Sequence, residues 1–204
     1  MAVLPMFPLG TVLFPHTLLP LHVFEPRYRE MTEQALAGIP EFGVVLIERG
    51  SEVGGGDTRF GVGTVARILE AGRLADGRYV LTTVGTNRMR VESWLGEEPY
   101  PHADVVFVEE APPPPAALTV RDTVETRLRD LAELLARAND GPVPDALSLD
   151  ADPGRASFEG AALAPIGPLD AQRLLEIDDP LVRLETLDQL LADEVDMLRR
   201  LGDE

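Results

Sequence analysis

The sequence predicts an α+β protein, in which a barrel-like domain of short strands with one helix is followed by an α-helical bundle. Three observations support this fold class. Before residue 111 the apolar runs have strand length and are rich in Val, Ile, Thr and aromatic residues. After residue 115 leucines recur every three or four residues, which is the helical period. Between the two parts, the run APPPP at 111 to 115 favours an extended spacer. We therefore expect two domains, 1–112 and 116–204.

The chain opens on a nearly uncharged stretch, MFPLGTVLFPHTLLPLHVFEPRY. A membrane helix needs about 20 apolar residues that can stay helical, but this stretch is interrupted by Pro5, Pro8, Pro15, Pro20 and Pro26. A secretory signal needs a basic start, and the first basic residue is Arg27. We interpret the opening as two short strands, TVLF and LHVF, joined at prolines. This interpretation predicts a cytoplasmic protein with no membrane partner.

One helix is predicted between the strands, from Pro26 to about Ala37. Proline suits the first helical turn, and Gly38 is placed to end the helix. Its apolar face is predicted to consist of Tyr28, Met31, Ala35 and Leu36.

Further strands are predicted at FGVVLIE (42–48), GVGTVARILE (61–70), RYVLTTV (78–84), NRMRVESW (87–94) and ADVVFVEE (103–110). Asp76-Gly77 is a good hairpin turn between two of them. Alternation in one strand places Met89 and Val91 on one face, and Arg88 and Arg90 on the other. The triplet GGG at 54 to 56 lacks the strand-to-helix setting of a phosphate loop.

The helical part begins with an apolar stripe of Val124, Leu128, Leu131, Leu135 and Ala138. A shorter helix is predicted from near Leu169, marked by Leu174, Leu175 and Ile177. Asp179 can cap a last helix, with Pro180 in its first position. Such stripes are typical of a bundle core. Residues 140–160 are predicted to be a flexible connection or a loose lid.

Composition excludes several classes of protein. The net charge is −17, and all 18 basic residues are arginine. Without lysine the chain cannot form a Walker-type phosphate loop, a Schiff base or a serine–lysine dyad. Without cysteine it has no disulfide or thiol chemistry. Up to Glu110 there are 15 acidic residues against 9 arginines, and beyond it 20 against 9, so we expect no nucleic-acid partner.

The search for catalytic chemistry finds little. His16, His22 and His102 show no metal-ligand spacing, and no G-x-S-x-G motif is present. The acidic clusters GEEP, VEEAP, IDDP and LADEVD are typical of caps, turns and solvated helix faces. We therefore predict no catalytic residue, no metal and no cofactor, and a protein that is not an enzyme.

Two groups of residues are candidates for binding. The segment FEPRYRE places Phe24, Glu25, Arg27 and Tyr28 where a strand becomes a helix. Arg27 could pair with a carboxylate in bidentate fashion, and we favour this structural role over direct ligand contact. Trp94, in the segment ESWLGEEPY with Tyr100, could anchor a peptide, although we favour a core position for it. The six are our candidate peptide-binding residues.

The blocks FPLGTVLFPHTLLPLHVFEPRYREM, FGVV, GVGTVARI, DGRYVLTTVGTNRMRV and YPHADV occur in an order that resembles the N-terminal, substrate-binding domain of Lon proteases. The later AQRLLEIDDPLVRLETLDQLL is similar to the helical part of that domain. The resemblance implies a pseudo-barrel of the PUA-like kind followed by a helical bundle. The chain resembles the stand-alone bacterial members of the family. The resemblance also implies glycine at the position of His16, so the turn there is expected to differ.

Three functions are consistent with these observations. The first is a non-enzymatic module that binds unfolded or extended polypeptide, or a protein partner, at the junction of barrel and bundle, through edge-strand pairing or an apolar groove. The second is a small-molecule binder or an unrecognised enzyme with a pocket between barrel and bundle. The third is an adaptor whose acidic bundle docks to a partner such as a protease. We favour the first. The client, the partner and the oligomeric state are not predicted.

Overall fold

The computed structural model describes residues 1–49, 58–138 and 147–202. The chain divides into two compact units, Met1–Glu109 and Glu110–Glu204, which we describe one at a time. The triplet GGG at 54 to 56 lies outside the described residues. The domain boundaries at 112 and 116 stay a proposal.

The first unit contains a six-stranded sheet and one helix in its described residues. The elements are β1 (Ala2–Leu9), β2 (Leu18–Val23), α1 (Pro26–Ala37), β3 (Glu41–Arg49), β4 (Thr58–Arg73), β5 (Tyr79–Gly96) and β6 (His102–Phe107). The strand order is β2-β5-β4-β3-β1-β6, and β5 also pairs with β6. That additional pairing joins the ends of five strands into a closed ring and leaves β2 attached to β5. The predicted α+β class and its pseudo-barrel are confirmed.

Two strand predictions are wrong in detail. RYVLTTV and NRMRVESW belong to one long strand, β5, which pairs with β2 over its first half and with β6 over its second. Irregular register between β4 and β5 lets the strand bend. The segment TVLF is not a strand, because the first strand ends at Leu9. The prolines were interpreted as breaks between strands, but Pro5, Pro8 and Pro20 lie within strands.

The position of the prolines in β1 explains how the sheet tolerates them. β1 pairs antiparallel with β6 over Ala2 to Pro5 and parallel with β3 over Met6 to Leu9. Each half of the strand is therefore paired on one side in the described sheet. A residue in such a strand needs its backbone N–H on one side only, so a proline facing the other side costs no ladder hydrogen bond.

Helix α1 has the predicted bounds, and Gly38 is its C-cap residue. Tyr28, Met31 and Ala35 are buried as predicted, but Leu36 is exposed and Thr32 is buried instead. The Thr32 hydroxyl is satisfied because it donates to the Tyr28 carbonyl oxygen at 2.8 Å. One helical turn can therefore bury a threonine without an unpaired hydroxyl.

The hairpin turn at Asp76-Gly77 is confirmed. Gly77 has a φ of +82°, which L side chains rarely adopt. Asp76 accepts a hydrogen bond from the Arg78 backbone N–H at 3.1 Å. A Cβ atom on Gly77 would lie 2.4 Å from Nη2 of Arg29, so α1 packs directly against this turn.

Two apolar clusters form the core of the first unit. The larger includes Phe7, whose ring stacks on Tyr28 with 4.2 Å between centroids. The smaller is built around Met6 and Met89. Arg90 is exposed, but its neighbour on the predicted arginine face, Arg88, is only 1% exposed. The predicted alternation therefore describes the burial of the apolar residues correctly, but it does not predict that Arg88 is buried.

The second unit is helical in its described residues. Its elements are α2 (Ala116–Ala138), α3 (Pro153–Leu163), α4 (Pro168–Glu176) and α5 (Pro180–Gly202). Among the helices of the described ranges, none combines the length and the hydropathy needed to cross a bilayer. The predicted start of α5 is confirmed, since the Asp179 carboxylate accepts from the Leu181 N–H at 2.8 Å.

Helix α3 corrects the prediction of a flexible connection over 140–160, of which 140–146 lie outside the described residues. Asp152 caps the helix by accepting from the Arg155 N–H at 2.9 Å, and Pro153 occupies its first turn. The buried face consists mainly of small residues around Phe158. Gly160 allows close packing, because a Cβ atom there would lie 3.0 Å from Leu187. Small residues give a weak hydropathy signal, so the helix was missed.

A buried arginine organises the core of the second unit. Arg183 is 0% exposed, and its guanidinium lies 3.8 Å from the centre of the Phe158 ring. It donates to Ser157 Oγ at 2.7 Å and to the Ile177 carbonyl oxygen at 2.7 Å, and it pairs with Glu110 at 3.4 Å. Its hydrogen bonds connect α3, the end of α4 and α5, so this unit is held together by polar contacts as well as by leucines.

Candidate functional site

The segment FEPRY forms a sharp junction between β2 and α1. Phe24 is 54% exposed, whereas Tyr28 is 2% exposed. Arg27 donates from Nε to Glu25 Oε2 at 3.1 Å, and its guanidinium lies 4.5 Å from the centre of the Tyr28 ring. The ion pair and the cation–π contact order the junction locally.

A cleft of about 250 Å³ lies beside this junction. It is lined along one side by β2 and the following residues up to Glu25. Further lining residues come from β1, the segment after it and α1, namely Phe7, Leu9, Thr11 and Tyr28. The lining is mostly apolar, and it includes the exposed Phe24. The cleft can therefore receive an apolar side chain, and Thr11, His22 and Glu25 add polar groups to its walls.

Tyr100 lies in the same apolar cluster as Tyr28 and is 4% exposed. Its hydroxyl donates to Gln34 Oε1 at 2.7 Å, and its ring stacks on His102 with 4.6 Å between centroids. Burial raises the pKa of the Tyr100 phenol above its ordinary value, and the carboxylate of Glu30 raises it further. Tyr100 is therefore a neutral donor at physiological pH, held inside the fold.

Trp94 is not a member of that cluster. It is 38% exposed, so the favoured core position for it is wrong. The Arg59 guanidinium lies 4.5 Å from the centre of its ring. Arg59 also makes a bidentate pair with Glu97, with N–O distances of 3.0 and 3.1 Å. Trp94 is thus an accessible aromatic side chain held by an ordered arginine.

The structure brings four of the six candidate residues, Phe24, Glu25, Arg27 and Tyr28, to one junction, and Tyr100 lies in the core behind it. The sequence prediction missed the β1 side of the cleft and the partner of Trp94, Arg59. A usable signal was present in β2, where apolar residues alternate around Pro20, because proline within an alternating strand is typical of a sheet edge.

The other groups considered for chemistry are dispersed. In the described part of the chain, no group of three or more His, Asp and Glu side chains is arranged to hold a metal ion. His16 has a φ of +66°, the left-handed conformation for which glycine is favoured. Histidine adopts this conformation here, and the expected difference from the turn of the resembling family stays a prediction.

The family model for the ATP-dependent protease La (LON) substrate-binding domain matches residues 3–193. The chain belongs to this family. The matched part is, by its description, the substrate-binding domain of the protease. The resemblance to the Lon substrate-binding domain that was predicted from the FEPRY segment and the ordered sequence blocks is confirmed.

Curated relatives in this family are bacterial Lon proteases. The Lon protease of Desulfovibrio desulfuricans is 30% identical over 206 residues, covering 95% of this chain and 22% of that protein. Lon protease 2 of Bdellovibrio bacteriovorus is 27% identical over 203 residues, covering 96% of this chain and 25% of that protein. The chain therefore spans about a quarter of the length of the curated Lon proteases that it matches.

Solved Lon N-terminal domains have the same fold. A Lon N-terminal domain protein from Xanthomonas campestris matches with a TM-score of 0.69 and 28% identity, over 94% of this chain and 98% of that one. The N-terminal domain of Lon protease from the Mycobacterium avium complex also matches with a TM-score of 0.69, at 20% identity, over 94% of this chain and 99% of that one. The Lon family fold thus extends over nearly the whole chain.

Proposed function

We propose that the protein is a non-enzymatic module that binds unfolded or extended polypeptide at the cleft beside the β2–α1 junction. The observation that carries the proposal is an apolar cleft with an exposed aromatic side chain, Phe24, in a chain of the Lon substrate-binding family. Exposed apolar side chains of an unfolded client would be buried there, and burial of apolar surface is the main favourable term in such association. A cytoplasmic location is part of the proposal.

The size of the cleft favours a polypeptide side chain over a metabolite. Small-molecule sites have volumes of about 300–1,000 Å³, whereas the volume of this cleft is about 250 Å³, just below that range. Among the described residues, a larger hollow of about 590 Å³ is lined only by side chains of α1, between Pro26 and Ala37. A single helix face does not supply polar groups that converge from several sides. Neither feature supports the alternative of a small-molecule binder or an enzyme.

Binding of a permanently unfolded protein tests the proposal. The probe is reduced and carboxymethylated α-lactalbumin, which cannot refold. We expect the purified protein to bind it, and Phe24→Ala to weaken binding about tenfold, which corresponds to roughly 1.4 kcal/mol. Leu69→Ala is the matched control, because Leu69 is 53% exposed but does not line the cleft. Equal binding by both variants and the unmodified protein would place the site elsewhere, and absence of binding would contradict the function.

Trp94→Ala examines the second exposed aromatic candidate in the same assay. The proposal assigns the client to the cleft, so we expect Trp94→Ala to change binding less than Phe24→Ala does. The opposite order would move the proposed site to the surface formed by Trp94 and Arg59.

A further inference from the structure

In the part of the barrel that the structure describes, strand β2 has a free edge. In the described sheet it stands at the end of the strand order and pairs only with β5. The Thr17 carbonyl oxygen accepts from the Gly85 N–H at 2.9 Å, and the Leu19 carbonyl oxygen accepts from Thr83 Oγ1 at 2.8 Å. Backbone groups alternate in direction along a strand. The backbone groups of Leu18, Pro20 and His22 are therefore directed away from β5.

The free edge adjoins the cleft. The cleft is lined by the β2 residues from Leu19 to Val23 and by Leu9 and Thr11, which belong to β1 and the segment after it. β1 and β2 are not neighbours in the sheet. The cleft is therefore a gap between the sides of β1 and β2 that have no strand partner in the described sheet. Backbone hydrogen-bonding groups of β2 lie along it, and most of its lining side chains are apolar.

The hydrogen-bonding pattern of this edge matches a polypeptide backbone. It offers the carbonyl oxygens of Leu18, Pro20 and His22 as acceptors, but the N–H groups of Leu18 and His22 alone as donors, because proline has no N–H. The acceptors recur every second residue, about 7 Å apart in an extended strand. An extended chain presents its own N–H groups at the same interval, and few other ligands do.

We infer that the polypeptide client is held as an added β-strand along β2, with alternate N–H groups donating to the carbonyl oxygens of Leu18, Pro20 and His22. This inference rests on the proposed function and specifies its client as an extended segment of about five residues. The segment has no proline at the donating positions. Alternate side chains of the segment enter the cleft beside Phe24, so apolar residues are needed at every second position.

Pro20 favours a different chain over a second copy of this protein. In a two-fold antiparallel pairing of two β2 edges centred on Pro20, each central proline would face another residue without an N–H. Both central carbonyl oxygens would then lose a donor. Proline at the centre of a free edge is a known protection against self-pairing. A client residue opposite Pro20 can donate its N–H to the Pro20 carbonyl oxygen, so only the client's own carbonyl oxygen lacks a donor there, one group instead of two.

Backbone methylation of a bound peptide tests the inference. Overlapping peptides from the unfolded α-lactalbumin probe are screened for binding, and the strongest binder is synthesised in two N-methylated forms, one for each alternate set of residues. Loss of about three hydrogen bonds at roughly 1 kcal/mol each predicts an affinity about 100-fold lower for one form. The other form should bind like the unmethylated peptide. Equal affinity of all three peptides overturns the inference and leaves the proposed function intact.

Amide exchange of the protein gives a second readout. On peptide binding we expect the N–H groups of Leu18 and His22 to become protected from exchange, whereas those of Leu19 and Leu21 already face β5. Unchanged exchange at Leu18 and His22 in the bound state contradicts strand addition. Protection that appears without peptide as protein concentration rises, together with a dimer in sedimentation, shows that a second copy occupies the edge and also overturns the inference. If no peptide binds, the proposed function fails as well.

Discussion

The two units of the molecule differ in whether certain polar groups find hydrogen-bond partners within the same unit. The helical unit buries Arg183 completely and satisfies its guanidinium with Ser157, Ile177 and Glu110, all from the same unit. The barrel unit leaves a row of backbone groups of β2 without a strand partner in the described sheet. A polar group satisfied within its own unit stabilises that unit, whereas a row of outward-facing groups is available to a partner. Arg183 therefore stabilises the helical unit, whereas the outward-facing groups of β2 are the ones that we propose for recognition.

The largest effect is expected from Arg183→Met, which preserves part of the buried side-chain volume but removes its hydrogen bonds. The Ile177 carbonyl oxygen and Ser157 Oγ would lose a buried donor, at about 1–3 kcal/mol for each unsatisfied group. We therefore expect the free energy of unfolding of the helical unit to fall by about 3 kcal/mol. Urea unfolding followed by helical circular dichroism measures the change.

Arg173→Met is the matched control for this change, because Arg173 is exposed on α4. It should leave the urea midpoint of the helical signal within experimental error. An unchanged midpoint for Arg183→Met would show that the buried guanidinium does not stabilise the helical unit.

In the barrel unit, a loss of stability of similar size is expected from Gly63→Ala in β4, which adds a methyl group at a closely packed position. A Cβ atom at Gly63 would lie 2.1 Å from the Val44 carbonyl oxygen and 2.7 Å from Val45 Cγ1, so the paired strands β3 and β4 must separate. Overpacking of this kind costs about 1–3 kcal/mol. Because Trp94 is the one tryptophan of the chain, its fluorescence during urea unfolding reports on the barrel unit.

Gly61→Ala is an internal control in the same strand, since a Cβ atom there has nothing within 4 Å. We expect it to leave the fluorescence midpoint unchanged or to raise it slightly, because alanine restricts the unfolded chain more than glycine does. Equal destabilisation by the two alanines would indicate that strand pairing around Gly63 is not the stability determinant of the barrel.

These contrasts also show where sequence reasoning succeeds. Local signals sufficed for α1 and for the start of α5, because a proline in the first turn and a capping residue act within a few positions. The α+β class followed from the change of hydrophobic period near residue 111. Family resemblance extended this to the pseudo-barrel, which depends on pairing between β5 and β6 that no local pattern reports.

The parts that could not be predicted depend on tertiary contacts. Pro5 and Pro8 lie within a strand because β1 exchanges one partner strand for another between them. The burial of Arg183 depends on acceptors 6 and 26 residues away in sequence. At the candidate site, the sequence predicted the junction residues around Tyr28 but not the β1 residues that also line the cleft. These residues lie beside β2 because of the strand pairing of the barrel, which no local pattern reports. The role of those residues in binding remains a proposal.

A smaller effect is expected at His16, where the barrel unit holds a left-handed backbone conformation. His16→Gly and His16→Ala both remove the imidazole, but only glycine adopts the observed φ of +66° without steric cost. Left-handed conformations cost L residues about 1–2 kcal/mol. We therefore expect the glycine variant to be more stable than the alanine variant by about 1 kcal/mol in urea unfolding. Equal stability would mean that the turn relaxes to an ordinary conformation when the histidine is replaced.

The smallest effect is expected at Tyr100, whose buried hydroxyl is hydrogen-bonded within the barrel unit. The pKa of Tyr100 is raised by burial and by Glu30, so the folded state holds the phenolic proton more tightly than the unfolded state does. This contribution is complete below the unfolded pKa of about 10 and is lost as the pH rises through the folded value. Tyr100→Phe should therefore reduce the alkaline loss of stability and remove one tyrosine from a tyrosinate absorbance titration. If the variant loses stability above pH 10 as steeply as the unmodified protein, Tyr100 does not couple proton binding to folding. The hydrogen bond to Gln34 would then be only a local contact, and the helical unit with Arg183 would be the part of the molecule where buried polar groups determine stability.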